Sequence, residues 1–452
     1  MKKMMLICAP VTSRSGYGDH SRDLVNSLFE MDMFNIKILD VPWGQCPRNA
    51  LDNNIESNNI IKQAILTEPK LDNQPDVYID IRIPNEFQQF GKFNIGITAG
   101  IETDIISPEW IEGCNKMDLI IVPSEHSKRG LINTLYDQVK NLPDGSQQKT
   151  GEHKIDKPVE VLFEGFDETT YKKIEIEKIQ KEKIYQDIDN LQDDFLFLHL
   201  GQWTTGDYGD DRKNISTTIK IFCEAFANKK KKPGLLLKTN GAGFSVLDHE
   251  DTKLKIKAIK KHFPKNFDLP NIYLLHGELT NDEINILYNH PKVKCMLSLT
   301  HGEGFGRPLL EASVTGLPII TTGWSGHIDF LNEEKCILLP GELKQVPKSV
   351  VWDKIIVENS KWFNVNESQA YHAMNYMFKN HFDSKVRAKS LMQENNDKFS
   401  LSKMTKKFKK ILEKHLANQP SVTTLQLPKL KKVNQSKPIN KIKLPKLKKV
   451  TS

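Results

Sequence analysis

The sequence predicts an α/β protein of two parallel-sheet domains, on three observations. Short apolar runs of strand length alternate with segments whose apolar residues recur at helical spacing. The alternation breaks once, at a charged stretch near residue 180, and then restarts. A chain of 452 residues also exceeds what one ordinary core organises. Its 27% charged and 38% hydrophobic residues are those of a soluble globular chain. No apolar run approaches the roughly 18 to 20 residues of a membrane helix.

Taken in order, "MMLICAPV" is a first buried strand rather than a leader, because a glycine turn follows it instead of a small-residue cleavage site. Next comes "SGYGDHSRDLVNSLFEMD", with Leu24, Val25 and Leu28 at helical spacing, and then the strand "NIKILDV". "DVYIDIRIP", "FNIGITAG", "DLIIVPS" and "VEVLFEG" are further buried strands, and apolar runs between helices mark a parallel sheet. Residues 140–157 are polar, with Gly and Pro, and predict an exposed insertion loop. After the charged segment 171–194, "FLFLHLG", "GLLLKTNG", "NIYLLHG", "KCMLSLT", "GLPIITT" and "KCILLP" are strands. Between them "NISTTIKIFCEAFANK", "NDEINILYNH" and "RPLLEASVTG" are helices, and residues 366–417 are mostly helical.

The six cysteines form no Cys-x-x-Cys pair and fit a reducing compartment, with cytoplasmic localisation expected. Nine lysines and no acid lie in residues 419–452, where "LPKLKKV" occurs twice; subtracting those nine from the formal charge of +7 leaves −2. The folded body is thus near neutral, and this Pro- and Lys-rich tail is predicted to be disordered. Any contact with an anionic membrane or nucleic acid rests on residues 427–450.

The chemistry concentrates in "SLTHGEGFGRPLLEASVTGLPIITT", residues 298–322. A strand runs into a turn containing Gly302, Gly304 and Gly306, and then into a helix with Pro308 near its start. Ligands of open α/β sheets bind at that carboxyl edge, where a helix N-terminus favours anions and glycines let a ligand approach the backbone. Glu303 and Glu311 flank the turn, with Glu311 expected in the first helical turn. Carboxylates beside a phosphate-attracting turn suit a ligand with both phosphate and neighbouring hydroxyls. The plainer alternative, Glu311 favouring the helix dipole, is worth ~0.3–1 kcal/mol.

The stretch "HGEGFGRPLLEASVTGLPIITTGWSGHIDFL" resembles the donor-site signature of retaining glycosyltransferases of the GT-B fold, the family-4 or group 1 type. "VPSEHSKRGL", "VEVLFEGFDETTY" and "FLHLGQW…DRKNISTTIKIFCEAF" extend the resemblance over roughly residues 1–415. It implies two Rossmann-like βαβ domains facing across a cleft: an acceptor domain over 1–172, a charged linker over 173–192 and a nucleotide-sugar domain over 193–385. Helices over 386–417 would pack back on the first domain, ahead of the tail at 418–452.

The same resemblance implies a hexosyltransferase that moves a sugar from a nucleotide-diphosphate donor to an acceptor hydroxyl with retention of configuration. By position, Glu311 would hold the nucleotide ribose, and Glu303 the donor sugar or reacting centre. The amides of Gly304 and Phe305, with Gly306 beside them, would contact sugar or phosphate. Lys213 matches the lysine that neutralises the diphosphate in place of a metal ion. The family's arginine precedes it by several residues, where this chain has Gln202 and Trp203; Arg212 is the candidate to take over, the alternative being a solvated side chain at a helix start.

Gly16 and Gly18, after the first strand, resemble the family's glycine loop facing the diphosphate, although an ordinary βα turn has the same pattern. Glu102 and Asp104, after "TAGI", either orient the acceptor hydroxyl or cap the next helix. Ser325 and Gly326 would offer amides to the sugar, and Asp329 reads as a cap. His126 is left as structural. Asp187 and Asp189 have the Asp-x-Asp spacing of metal-dependent transferases but sit in the charged segment, so neither a metal nor any other cofactor is expected. A nucleotide-sugar epimerase or phosphorylase-like enzyme remains a rival reading. So does a nucleic-acid- or membrane-associated GT-B protein, such as a DNA-modifying glycosyltransferase or a non-catalytic module anchored by its tail.

Overall fold

The computed structural model describes residues 2–143, 146–203, 208–241 and 243–417. The Lys-rich tail, and with it any anionic partner of residues 427–450, lies outside the described residues.

Two parallel sheets carry the chain. The first contains β1 (Lys3–Ala9), β2 (Phe34–Asp40), β3 (Val77–Ile81), β4 (Phe93–Ile97) and β5 (Leu119–Val122). A separate hairpin of β6 (Tyr136–Asn141) and β7 (Gln147–His153) precedes its last strand, β8 (Val159–Val161). The order is β2-β1-β3-β4-β5-β8, all parallel. The second sheet contains β9 (Leu196–Leu200), β10 (Gly234–Lys238), β11 (Ile272–Leu275), β12 (Val293–Ser298), β13 (Ile319–Thr322) and β14 (Ile337–Leu339). Its order is β11-β10-β9-β12-β13-β14, again all parallel. Each order reverses once, between β1 and β3 and between β9 and β12, and open α/β sheets offer their crevice at such reversals.

Helices cover the faces of each sheet, so the central strands are mostly apolar; all five residues of β3 are buried. Asp80 within it is the exception, and Arg82 grips both its oxygens at 2.7 Å while Tyr78 Oη donates at 2.9 Å.

Three segments differ from the sequence expectation. Tyr136–Asn141 and Gln147–His153 pair as exposed antiparallel strands where a loop was expected within 140–157. Cross-strand polar pairs such as Lys149–Asp137 at 2.6 Å hold them, and these leave no apolar alternation to read. The charged segment 173–192 is no free linker: Ile179, Ile184 and Ile188 are buried against the second sheet's core. The last helices divide. His381–Lys398 stays on the second domain through Leu391, and only Leu401–Leu416 returns, burying Met404, Phe408, Ile411 and Leu412 under the first sheet. At the crossing, Phe166 N donates to Phe399 O and Leu401 N to Phe166 O, so outgoing and returning chains run side by side.

Candidate active site

Both halves of the candidate site hang from the β9/β12 reversal. β12 ends at Ser298, and the turn that follows leads into the helix Arg307–Val314, capped by Gly306 at φ +97°. Arg212 and Lys213 lie after β9, just before the helix Ile215–Phe226. Asp211 caps that helix, accepting from Ile215 N at 2.8 Å. The two loops meet through an ion pair: Lys213 Nζ donates to Glu303 Oε1 at 2.6 Å and to Oε2 at 2.7 Å. Burial pushes the Glu303 carboxyl up, but the charges of Lys213 and Arg212 outweigh it and hold the group below its ordinary value. The carboxylate is therefore ionised; burial draws Lys213 below its ordinary value as well, with the charge of Glu303 working against that fall.

Arg212 reaches the other domain, Nη1 donating to Glu102 Oε1 at 2.8 Å. The turn itself touches that domain through its backbone. A Cβ on Gly302 would lie 2.2 Å from Glu102 O, and one on Gly304 2.0 Å from Ala99 O. These glycines thus admit the first domain's backbone, a close approach that the sequence assigned to a ligand. Ser124 Oγ donates to Gly304 O at 2.5 Å and Ser127 Oγ at 3.3 Å. Ser325 Oγ accepts from Glu303 N at 2.9 Å, and Gly326 N donates to Glu303 O at 2.9 Å, so Ser325 and Gly326 brace the turn from behind.

The glycine loop joins the same junction indirectly. Gly16 and Gly18 open the helix Gly16–Met31, and Ser15 Oγ caps it by accepting from Gly18 N at 3.1 Å. Between them Tyr17 Oη accepts from Ala99 N at 3.1 Å, and the Ala99 carbonyl faces Gly304. A side chain at Gly16 would meet nothing within 4 Å.

Residues 212–346, which hold the Arg-Lys pair and the glycine turn, match the family of glycosyl transferases group 1. That segment is similar to a group 1 glycosyltransferase domain. No curated protein matches the chain. Among solved structures, sucrose-phosphate synthase from Thermosynechococcus elongatus is similar with a TM-score of 0.61 at 11% identity, over 93% of this chain and 100% of its own. HepE of Anabaena, in complex with UDP and glucose, gives 0.54 at 12%, over 91% and 100%. An α,α-trehalose-phosphate synthase from Burkholderia xenovorans, in complex with glucose-6-phosphate, gives 0.55 at 10%, over 91% and 100%. The fold of the whole described chain is accordingly GT-B.

Within and beside this segment, Glu311 and Asp104 sit otherwise than expected. Glu311 is the fifth residue of its helix, not in the first turn, so the helix dipole does not hold it. Instead Arg307 Nε donates to its Oε1 at 3.0 Å. Asp104 does not cap the next helix: its Oδ1 accepts from Lys361 N at 2.6 Å and its own N donates to Lys361 O at 3.0 Å. Ser107 provides the cap of the next helix, and Asp104 is taken up by a second-domain hairpin, β15 (Gly341–Gln345) with β16 (Lys361–Val365). Phe305 buries its ring against Phe330, centroids 5.0 Å apart, leaving only its backbone for a ligand. Asp329 does cap, but across the cleft, accepting from Glu125 N at 2.9 Å.

Sequence reasoning passed over Ser124, Ser127, Asp23 and Arg307, whose partners lie in the other domain. His126 is buried beside Trp324, with ring centroids 4.6 Å apart, and burial lowers its pKa to about 4. His199 is lowered to about 4 for the same reason, so both rings are neutral at pH 7. Among the described residues, no group of three or more His, Cys, Asp or Glu could hold a metal ion, and no helix is long and apolar enough to cross a membrane.

Proposed function

We propose that this protein transfers a hexosyl group from a nucleotide-diphosphate sugar to an acceptor hydroxyl, with retention of configuration and without a metal ion. The observation that carries this is the Lys213–Glu303 ion pair, set at the β9/β12 reversal between a helix start and the glycine turn. Lys213 and Arg212 supply two cations where a diphosphate would lie, each now neutralised by a carboxylate that an incoming anion would displace. The turn's amides and the start of the helix Arg307–Val314 add fixed dipoles toward charge on the leaving group.

In the reaction the bond from the sugar's anomeric carbon to the diphosphate oxygen breaks, and its electron pair leaves with the phosphate. The acceptor oxygen bonds to that carbon on the same face, and its proton passes to the departing phosphate oxygen. Glu303 orients the sugar, and Glu311 accepts from the ribose hydroxyls. Burial raises the Glu311 pKa to about 7, so donor affinity rises with pH up to that value as the carboxylate ionises. Closure of the cleft excludes water, which would otherwise take the sugar. The neighbours bound to UDP and to glucose-6-phosphate support a nucleotide donor and a sugar-like acceptor.

A thermal-shift panel of UDP, GDP, ADP and their sugars, run with and without EDTA, tests the donor site. One nucleotide should raise the melting temperature equally in both conditions, and Lys213→Ala should abolish the shift. No shift at millimolar nucleotide overturns the proposal; a shift that EDTA removes overturns metal independence alone. Proton NMR of the first product gives the anomeric configuration, and inversion would refute retention.

A further inference from the structure

Where the helix Gly16–Met31 of the first domain meets the helix Arg307–Val314 of the second, Asp19, Asp23, Glu164 and Glu311 gather around Arg307. The other guanidinium nearby, Arg22, pairs with Asp19 of this cluster and donates to the carbonyls of Val11 and Ser13. His20, Tyr171 and Tyr288 complete the surroundings. Arg307 uses separate nitrogens for separate domains. Its Nη1 lies 2.7 Å from Asp23 Oδ2, an ion pair off the line of a hydrogen bond, while Nε donates to Glu311 Oε1 at 3.0 Å. The side chains of Arg307, Asp23 and Glu311 are only 16%, 17% and 7% exposed.

We propose that Asp23 and Arg307 are positioning residues that act through Glu311, so that the approach of the first domain sets the donor affinity of the second. This rests on Glu311 holding the donor ribose, as proposed above. With Asp23 in place, Nη1 is drawn toward the first domain, and Arg307 engages only one oxygen of Glu311. Glu311, which the Tyr288 hydroxyl also approaches, then keeps acceptor capacity for a ribose hydroxyl. Without Asp23, the planar fork of the guanidinium turns onto both carboxylate oxygens, the bidentate geometry it prefers, and competes with the ribose. A lysine would serve less well, because its three N–H groups radiate from one nitrogen and lack the separated Nε and Nη1 of the planar guanidinium.

The test is calorimetric titration with the nucleoside diphosphate that binds the native protein most tightly among UDP, GDP and ADP. Asp23→Asn should weaken it about tenfold, a coupling of ordinary size between sites. Donor KM should rise with it while acceptor KM stays, and Asp23→Glu should recover part of the loss. Arg307→Lys should resemble Asp23→Asn. In a Glu311→Gln background, Asp23→Asn should change nothing further, which a merely structural role would not reproduce. Native affinity in Asp23→Asn overturns the proposal, as does an equal loss with and without Glu311. If Glu311→Gln alone binds as tightly as native, the ribose assignment falls first and this inference with it. If Asp23→Asn does not fold, Asp23→Glu and Arg307→Lys decide, native affinity in both being the refuting result.

Discussion

At Lys213 the ammonium sits between both oxygens of Glu303, and neither side chain is more than 13% exposed. Removing one partner strands the other charge, at a cost of about 3–5 kcal/mol. Lys213→Met should therefore lower the melting temperature in calorimetry and lose about 10²-fold or more in turnover. Adding Glu303→Gln should restore most of the melting temperature and none of the turnover. A second residue-scale effect concerns protons. Burial raises Glu164 and Glu311 from 4.5 to about 7. The folded chain keeps those protons where the unfolded chain releases them, so stability falls as pH rises from 4.5 to 7, with the full penalty above 7. Glu164→Gln removes one share: it should stabilise by on the order of 1–3 kcal/mol at pH 8, and by much less at pH 5, in paired denaturation curves.

Among the elements, the turn after β12 and the helix Leu401–Leu416 hold the two domains in register by different means. The turn does it by proximity. Gly304→Ala would place a methyl 2.0 Å from Ala99 O, and because both sides are backbone the domains must part. Turnover should fall by about 10²-fold, as for other displacements near 1 Å, while the isolated sheets keep their circular dichroism. The returning helix does it by burial. Phe408 is fully buried in the first sheet's core although it follows the second domain in sequence. Phe408→Ala should cost about 3–5 kcal/mol in urea unfolding. The glycine turn was legible because strand, turn and helix are contiguous. The helix was legible as a helix, but its destination was not, since an amphipathic face does not say which sheet it covers.

For the whole molecule, polar clamps hold the cleft in the arrangement seen. Arg212 to Glu102, Lys361 to Asp104, Ser124 to Gly304 and Glu125 to Asp329 all cross it. Lys354 O also accepts from Ser107 Oγ at 2.9 Å, so the segment between β15 and β16 straps the second domain to the first. Interfaces of this polar kind open readily. Shortening residues 346–360 to a tight turn, together with Asp104→Ala, should raise the radius of gyration in small-angle scattering. Nucleotide should reduce it less than in the native chain; an unchanged radius would show that the strap does not hold the domains.

The sequence by itself determined two parallel α/β halves, the turn at 302–306, and Lys213 with Glu303 as the charged residues worth naming. Each of these depends on neighbours within a few residues or on a period of 2 or 3.6, which local order preserves. The tertiary structure alone decided that Gly304 packs against Ala99, that Asp104 belongs to a clamp, and that Arg307 lies between Asp23 and Glu311. Those partners lie far apart in the chain, 180 residues for Ser124 and Gly304 and 257 for Asp104 and Lys361. Contacts at such separations follow from how two finished domains meet, and no local periodicity encodes that meeting.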